Sequence, residues 1–144
     1  MLMNLMFGIL TMTLCLLLQS ILLQLAVRYY MGHDYLVNSP SLIASLIVVN
    51  GVMFLLVIGN LMQAAIWALL FQLLGEFELF SKAFYHSMVN FATLGYGDIV
   101  MSEEHKLLGP MEAINGVLMI GVSTAALMAF YQDAMRKTRR ARGK

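Results

Sequence analysis

The chain has 144 residues, 60% of them apolar and 12% charged, with a formal net charge of +1. Ordinary soluble domains are about 45–50% apolar and about 25% charged, so a soluble enzyme and a secreted disulfide scaffold are excluded, and the length fits one domain. Charge is also unevenly placed: residues 1–27, 35–75 and 113–132 contain no Asp, Glu, Lys or Arg. Each run reaches the roughly 20 apolar residues that a helix needs to cross a hydrocarbon core of about 30 Å.

Residues 2–27 form the first of these spans, within an additional N-terminal transmembrane helix expected over 1–30. No Lys or Arg precedes the apolar stretch, which is longer than a signal-peptide core of about 7–15 residues, so the span is expected to be retained. Its polar members Asn4, Thr11, Thr13, Gln19, Ser20 and Gln24 are uncharged and suit contacts with backbone or neighbouring helices. Cys15, the only cysteine, rules out an internal disulfide and a four-cysteine metal site. Residues 28–39 are expected as a connection, with Ser39 as N-cap and Pro40 at the first helical position. An outer helix then runs towards Gly75. One long helix is the expectation, and two spans joined near Asn50-Gly51 are the alternative.

Residues 76–107 hold Glu76, Glu78, Lys82, Asp98, Glu103, Glu104 and Lys106, yet Ala83 to Phe91 is apolar and aromatic enough to be buried. Ser81 suits the cap of a short helix. A run of about eleven residues is too short to span a membrane but suits a re-entrant segment. Thr93-Leu94-Gly95-Tyr96-Gly97-Asp98 follows, where two glycines flanking a tyrosine break any helix and permit unusual backbone angles. Gly109-Pro110 opens a third helix. Six of the nine basic residues lie in the last nine positions, which keeps that end cytoplasmic and puts the N-terminus outside. The basic tail fits a topology anchor attracted to anionic lipid headgroups rather than a nucleic-acid contact.

Non-helical backbone at membrane depth is tolerated only when buried in protein or lining a watery path. An extended, glycine-bearing strand that re-emerges behind a short helix meets the second condition if several copies share an axis. Its carbonyls then replace the water shell of a cation, and the negative C-terminal end of the short helix favours the same charge.

Thr93-Leu94-Gly95-Tyr96-Gly97-Asp98 resembles the selectivity filter of potassium channels. The stretch Ala83-Phe84-Tyr85-His86-Ser87 resembles the pore helix before such filters, and Leu107-Leu108-Gly109-Pro110 through Ser123-Thr124-Ala125 resembles the inner helix of small bacterial pore-loop ion channels. The resemblance covers about residues 40–134. It implies an all-α membrane protein: three transmembrane helices, a re-entrant pore helix (81–92) and filter (93–98) between the second and third, and a tetrameric pore. The pore domain would span 39–134, with the inner helix over 109–134 and a basic cytoplasmic tail over 135–144. It further implies potassium bound by Thr93, Leu94, Gly95 and Tyr96, backbone freedom at Gly95 and Gly97, and Asp98 braced behind the outer mouth by Tyr85 or His86. The implied assembly is a homotetramer in the cell membrane, with potassium as permeant ligand, no cofactor and no nucleic-acid partner. The chain departs from the family at Ala92, Leu94 and Val89, where Thr or Ser, Val and an acidic residue occur in other members.

Gly116 and Gly121 suit either close helix packing or a gating hinge. Leu127, Phe130 and Tyr131 are candidates for an apolar constriction near the cytoplasmic end. Ser123 and Thr124 either line a cavity or bond their own helix. His105 is expected in an exposed acidic stretch. No helix carries Lys or Arg at every third position, so a voltage-sensing segment of that kind is not expected, nor is a nucleotide- or calcium-binding region after the pore. Gly95-Tyr96-Gly97-Asp98 also fits the Gly-x-Gly-Asp motif of intramembrane aspartyl proteases. That chemistry needs a second carboxylate, and Asp34 and Asp133 are both expected at the opposite membrane face. A non-selective cation channel and a non-conducting subunit with a pore-like fold are the remaining alternatives to a potassium channel.

Overall fold

The computed structural model describes residues 1–143. Five helices follow one another: α1 (Leu2–Gly32), α2 (Asp34–Val37), α3 (Leu42–Leu73), α4 (Phe80–Phe91) and α5 (Leu108–Arg142). Of these, α1, α3 and α5 are long and apolar enough to cross a membrane. At about 1.5 Å per residue each exceeds a hydrocarbon core of about 30 Å.

Helix α1 inverts the pattern of a soluble helix. Its buried stripe carries Asn4, Thr11, Cys15, Gln19, Leu22, Ala26 and Tyr30, while Met3, Ile9, Leu10, Leu17 and Ile21 point outward. Lipid is as apolar as leucine, so segregation between helices rests on close packing and hydrogen bonds, which small and polar residues supply. Helix α3 is continuous from Leu42 to Leu73. Asn50 and Gly51 interrupt its apolar run without breaking it, because a single glycine costs a helix only about 1 kcal/mol.

Several boundaries differ from those expected. Arg28 lies inside α1. Ser39 and Pro40 do not open α3; the Ser41 hydroxyl accepts from the Ala44 N–H at 3.4 Å instead, and the helix starts at Leu42. Ser81 does not cap α4, which begins one residue earlier after Leu79, without a side-chain cap. Helix α5 does not stop at residue 134 but runs on through the basic segment to Arg142. Three causes sustain it. Asp133 pairs with Arg136 and Lys137 at helical spacing, the buried Thr138 hydroxyl bonds the Val37 carbonyl, and Arg139, Arg140 and Arg142 lie in the last turn, where cations complement the helix dipole.

The chain divides into two compact units. One comprises Met1–Gln19 and Asn60–Ile120, the other Ser20–Gly59 and Gly121–Lys144. The first is built on Trp67, Phe71, Phe91, Leu108 and Met119. The second is built on Tyr30, Val48, Val49, Val52 and Leu56.

Candidate functional site

The Thr93–Asp98 segment belongs to the first unit and leaves the C-terminal end of α4. Two short bonds close that end: the Thr93 N–H donates to the Asn90 carbonyl and the Leu94 N–H to the Val89 carbonyl, each at 2.8 Å. Beyond them the chain is exposed from Ala92 to Asp98. Its backbone alternates. Thr93, Gly95 and Gly97 have φ of 58°, 58° and 73°, and Leu94 and Tyr96 between them do not share the positive sign. Glycine adopts such angles freely. Thr93 does not, and a residue held there costs about 1–3 kcal/mol, strain that persists only where its surroundings impose it.

The residues behind this segment are tied to it singly. The Tyr85 hydroxyl donates to Asp98 Oδ2 at 2.8 Å. His86 contacts the next residue instead: its Nδ1 lies 3.0 Å from the Ile99 carbonyl oxygen, and its Nε2 lies 2.9 Å from the Asn90 amide nitrogen. A carbonyl only accepts, so Nδ1 carries the ring hydrogen and Nε2 accepts from Asn90. The structure thus brings Tyr85 to Asp98, and His86 past it. Val89 supplies no carboxylate beside Asp98.

Gly116 is a packing glycine. A Cβ there would overlap the Phe91 carbonyl, so α5 can lie against the end of α4 only without a side chain at this position. Gly121 has nothing within 4 Å of where a Cβ would stand. In the second unit, Leu127 and Phe130 pack on that unit's own core, with Phe130 5.0 Å from the Tyr30 ring. Tyr131 and Met128 are exposed. Together with Ile114, Val117, Leu118, Gly121 and Thr124 they follow helical spacing along one uncovered face of α5.

Two clusters escaped the sequence reading. Glu112 is fully buried, with Ser87 as its partner. It is the single charged residue between Lys106 and Asp133, and a carboxyl inside an apolar span is itself a signal of function. The second cluster corrects the expectation for His105, which is buried rather than exposed. Its Nδ1 lies 2.6 Å from Glu76 Oε1, and Ser102 donates to the same carboxylate from its N–H at 2.7 Å and its hydroxyl at 2.6 Å. Burial pushes the Glu76 carboxyl up, but the bonds from Ser102 and His105 outweigh it and leave it below the usual carboxylate range. Nothing in local sequence announces this pairing, because Glu76 and His105 lie 29 residues apart.

A family model described as an ion channel matches residues 56–133, just over half of the chain. The matched region takes in the later part of α3, all of α4, the Thr93–Asp98 segment and most of α5. The chain belongs to this ion-channel family, whose members are generally not enzymes, and with three apolar helices it is a multi-pass membrane protein. Helix α1 and the first part of α3 lie outside the match. Comparison with curated proteins and with solved structures finds no match.

Proposed function

We propose that the chain is one subunit of a homotetrameric cell-membrane channel that conducts potassium passively through the backbone carbonyls of Thr93, Leu94, Gly95 and Tyr96. The observation that carries this reading is the alternating sign of φ from Thr93 to Gly97. In a regular strand successive carbonyls point to opposite sides; alternation between left- and right-handed backbone lets them face one side, as a ladder of cation sites requires. Among the described residues, Gly95, Tyr96 and Gly97 donate none of the backbone–backbone hydrogen bonds outside helices. Exposed backbone of this kind belongs at membrane depth only around a shared watery path, which one strand cannot enclose. Further copies supply the missing walls, and the uncovered face of α5 gives them a surface to meet.

In this assembly Tyr85 braces Asp98 at the outer mouth. The constriction near the cytoplasmic end falls to Met128 and Tyr131, since Leu127 and Phe130 are occupied within their own chain. The C-terminus is cytoplasmic and the N-terminus outside, with the basic end of α5 at anionic headgroups.

The single Tyr85 bond to Asp98, with Val89 adding none, favours a second reading: a softer filter that admits sodium as well. One experiment separates the two. The purified chain is reconstituted into a bilayer under opposed potassium and sodium gradients, and the reversal potential is measured. A value near the potassium equilibrium potential supports potassium selectivity, a value near zero makes the protein a non-selective cation channel, and no current at all removes the conducting reading.

A further inference from the structure

Ser87 on α4 is fully buried and its Oγ meets two oxygens. One is the Ala64 carbonyl oxygen of α3, at 2.5 Å; the other is Glu112 Oε1 of α5. A hydroxyl has one hydrogen to give, and a carbonyl can only accept. The Ser87 hydrogen therefore goes to Ala64. The contact with Glu112 is then a hydrogen bond only if Glu112 brings a hydrogen of its own. An ionised Glu112 would claim the Ser87 hydrogen and leave two bare oxygens facing each other across 2.5 Å.

The surroundings agree. Among the described residues Glu76, Glu103, Asp133 and Asp34 are met by His105, Lys106, Arg136 and Lys137, and none of these basic groups reaches Glu112. A buried charge without a partner costs several kcal/mol. The second oxygen, Oε2, is buried with no hydrogen-bond partner, which the carbonyl oxygen of a neutral acid tolerates better than a carboxylate oxygen does. The groups facing Glu112 are the Asn90 amide of α4 and the Cys15 thiol of α1. The Asn90 amide also reaches His86 Nε2, and from α3 the Ala64 carbonyl takes the Ser87 hydroxyl.

We propose that Glu112 is held as a neutral carboxylic acid whose hydrogen starts a relay, Glu112 to Ser87 to the Ala64 carbonyl, and that this relay positions α4. Three helices are joined by two hydrogens. Helix α4 ends at Phe91, so the relay holds the element that delivers Thr93. Glu112 is a positioning residue, and only its effect on conduction rests on the channel reading above.

The test has two arms. In the first, infrared difference spectra of the purified protein at neutral pH compare wild type with Glu112→Gln, in light and heavy water. The expected result is a carboxylic-acid C=O band in wild type that shifts in heavy water and is lost in the variant. A difference spectrum showing carboxylate bands instead overturns the proposal. Should Glu112→Gln fail to assemble, the acid band of the wild-type protein decides alone. In the second arm, Glu112→Gln, which keeps an N–H donor and no charge, retains flux to within about twofold, whereas Glu112→Ala and Ser87→Ala lower it about tenfold or more. Equal loss in the Gln and Ala variants overturns the positioning role. Absence of flux in wild type with the acid band present refutes the channel reading and leaves the neutral acid standing.

Discussion

The two units of the chain use polar side chains in opposite ways. In the unit of Met1–Gln19 and Asn60–Ile120 many lie inside and bond one another: Gln63 donates to Gln19 at 2.8 Å, Asn90 to His86, Glu112 shares Ser87 with Ala64, and Glu76 meets the buried His105. In the unit of Ser20–Gly59 and Gly121–Lys144 the interior is mostly aliphatic. Its charged groups gather in a partly exposed cluster of Asp34, Asp133, Arg136 and Lys137. A buried hydrogen bond cannot rearrange without leaving a donor or acceptor unsatisfied, at about 1–3 kcal/mol. An exposed ion pair is worth about 0–1 kcal/mol and trades readily with water. The first unit is thus suited to holding an irregular backbone segment in one conformation, and the second to tolerating movement of its helices.

The largest effect is expected where the first unit holds strained backbone. A Cβ at Gly95 meets nothing within 4 Å, so Gly95→Ala is opposed by its φ of 58° and not by space. Left-handed backbone costs an L-residue about 1–2 kcal/mol, and in the proposed tetramer the cost recurs in every copy. Flux should fall to background while the assembly elutes as before. Retained flux would show that the segment does not depend on this geometry.

The glycines of α5 sharpen the contrast between the units. Gly116→Ala drives a methyl into the Phe91 backbone, and overpacking of this sort costs about 1–3 kcal/mol; the thermal midpoint of the purified protein should drop. Within its own chain Gly121→Ala meets open space and improves helix propensity by up to about 1 kcal/mol, so the midpoint should drop less than with Gly116→Ala. A drop with Gly121→Ala as large as with Gly116→Ala would mean that another copy presses on that face.

Much of this architecture was legible because a bilayer leaves few choices. Three uncharged runs gave three spanning helices, and Gly95 and Gly97 marked where helix must fail. The rest depended on pairings that no local pattern encodes. Glu112 sits one residue before the long uncharged run 113–132, and only the fold shows Ser87 meeting it. Leu127 and Phe130 looked free to face a pore because apolar residues surround all of α5; in the structure both are partly buried, and Phe130 lies against Tyr30 of α1, outside the family match. The helical basic end escaped because its supports, Val37 and Asp34, lie about 100 residues away in sequence.

The Glu76 cluster should give the first unit a measurable acid limit. Its folded pKa lies below the ordinary value of 4.5, so the carboxylate contributes stability above that value, and the contribution is lost as pH falls through the lower folded pKa. Melting of wild type should therefore fall off below about pH 4.5. In Glu76→Gln that portion of the acid dependence should vanish, at a constant cost of about 1–2 kcal/mol near neutrality. An unchanged acid profile in the variant would assign the loss to other carboxyls.

The smallest effect is expected at the ionic cluster of the second unit. Lys137 Nζ lies 2.8 Å from Asp34 Oδ1 and 3.0 Å from Asp133 Oδ2, and 5.3 Å from the centre of the Tyr30 ring. Those contacts look strong on distance alone. Yet Asp34 is half exposed, and Asp133 keeps both Arg136 and the Tyr30 hydroxyl when Lys137 is removed. No group is left buried and unpaired. Lys137→Met, which retains an apolar stem over the ring, should cost less than about 1 kcal/mol, and the difference from wild type should shrink further as salt screens the pair. Thermal melts at low and high ionic strength measure both quantities. A larger cost that salt does not reduce would show that the second unit is held as firmly as the first, and the distinction between a fixed unit and a yielding one would fall with it.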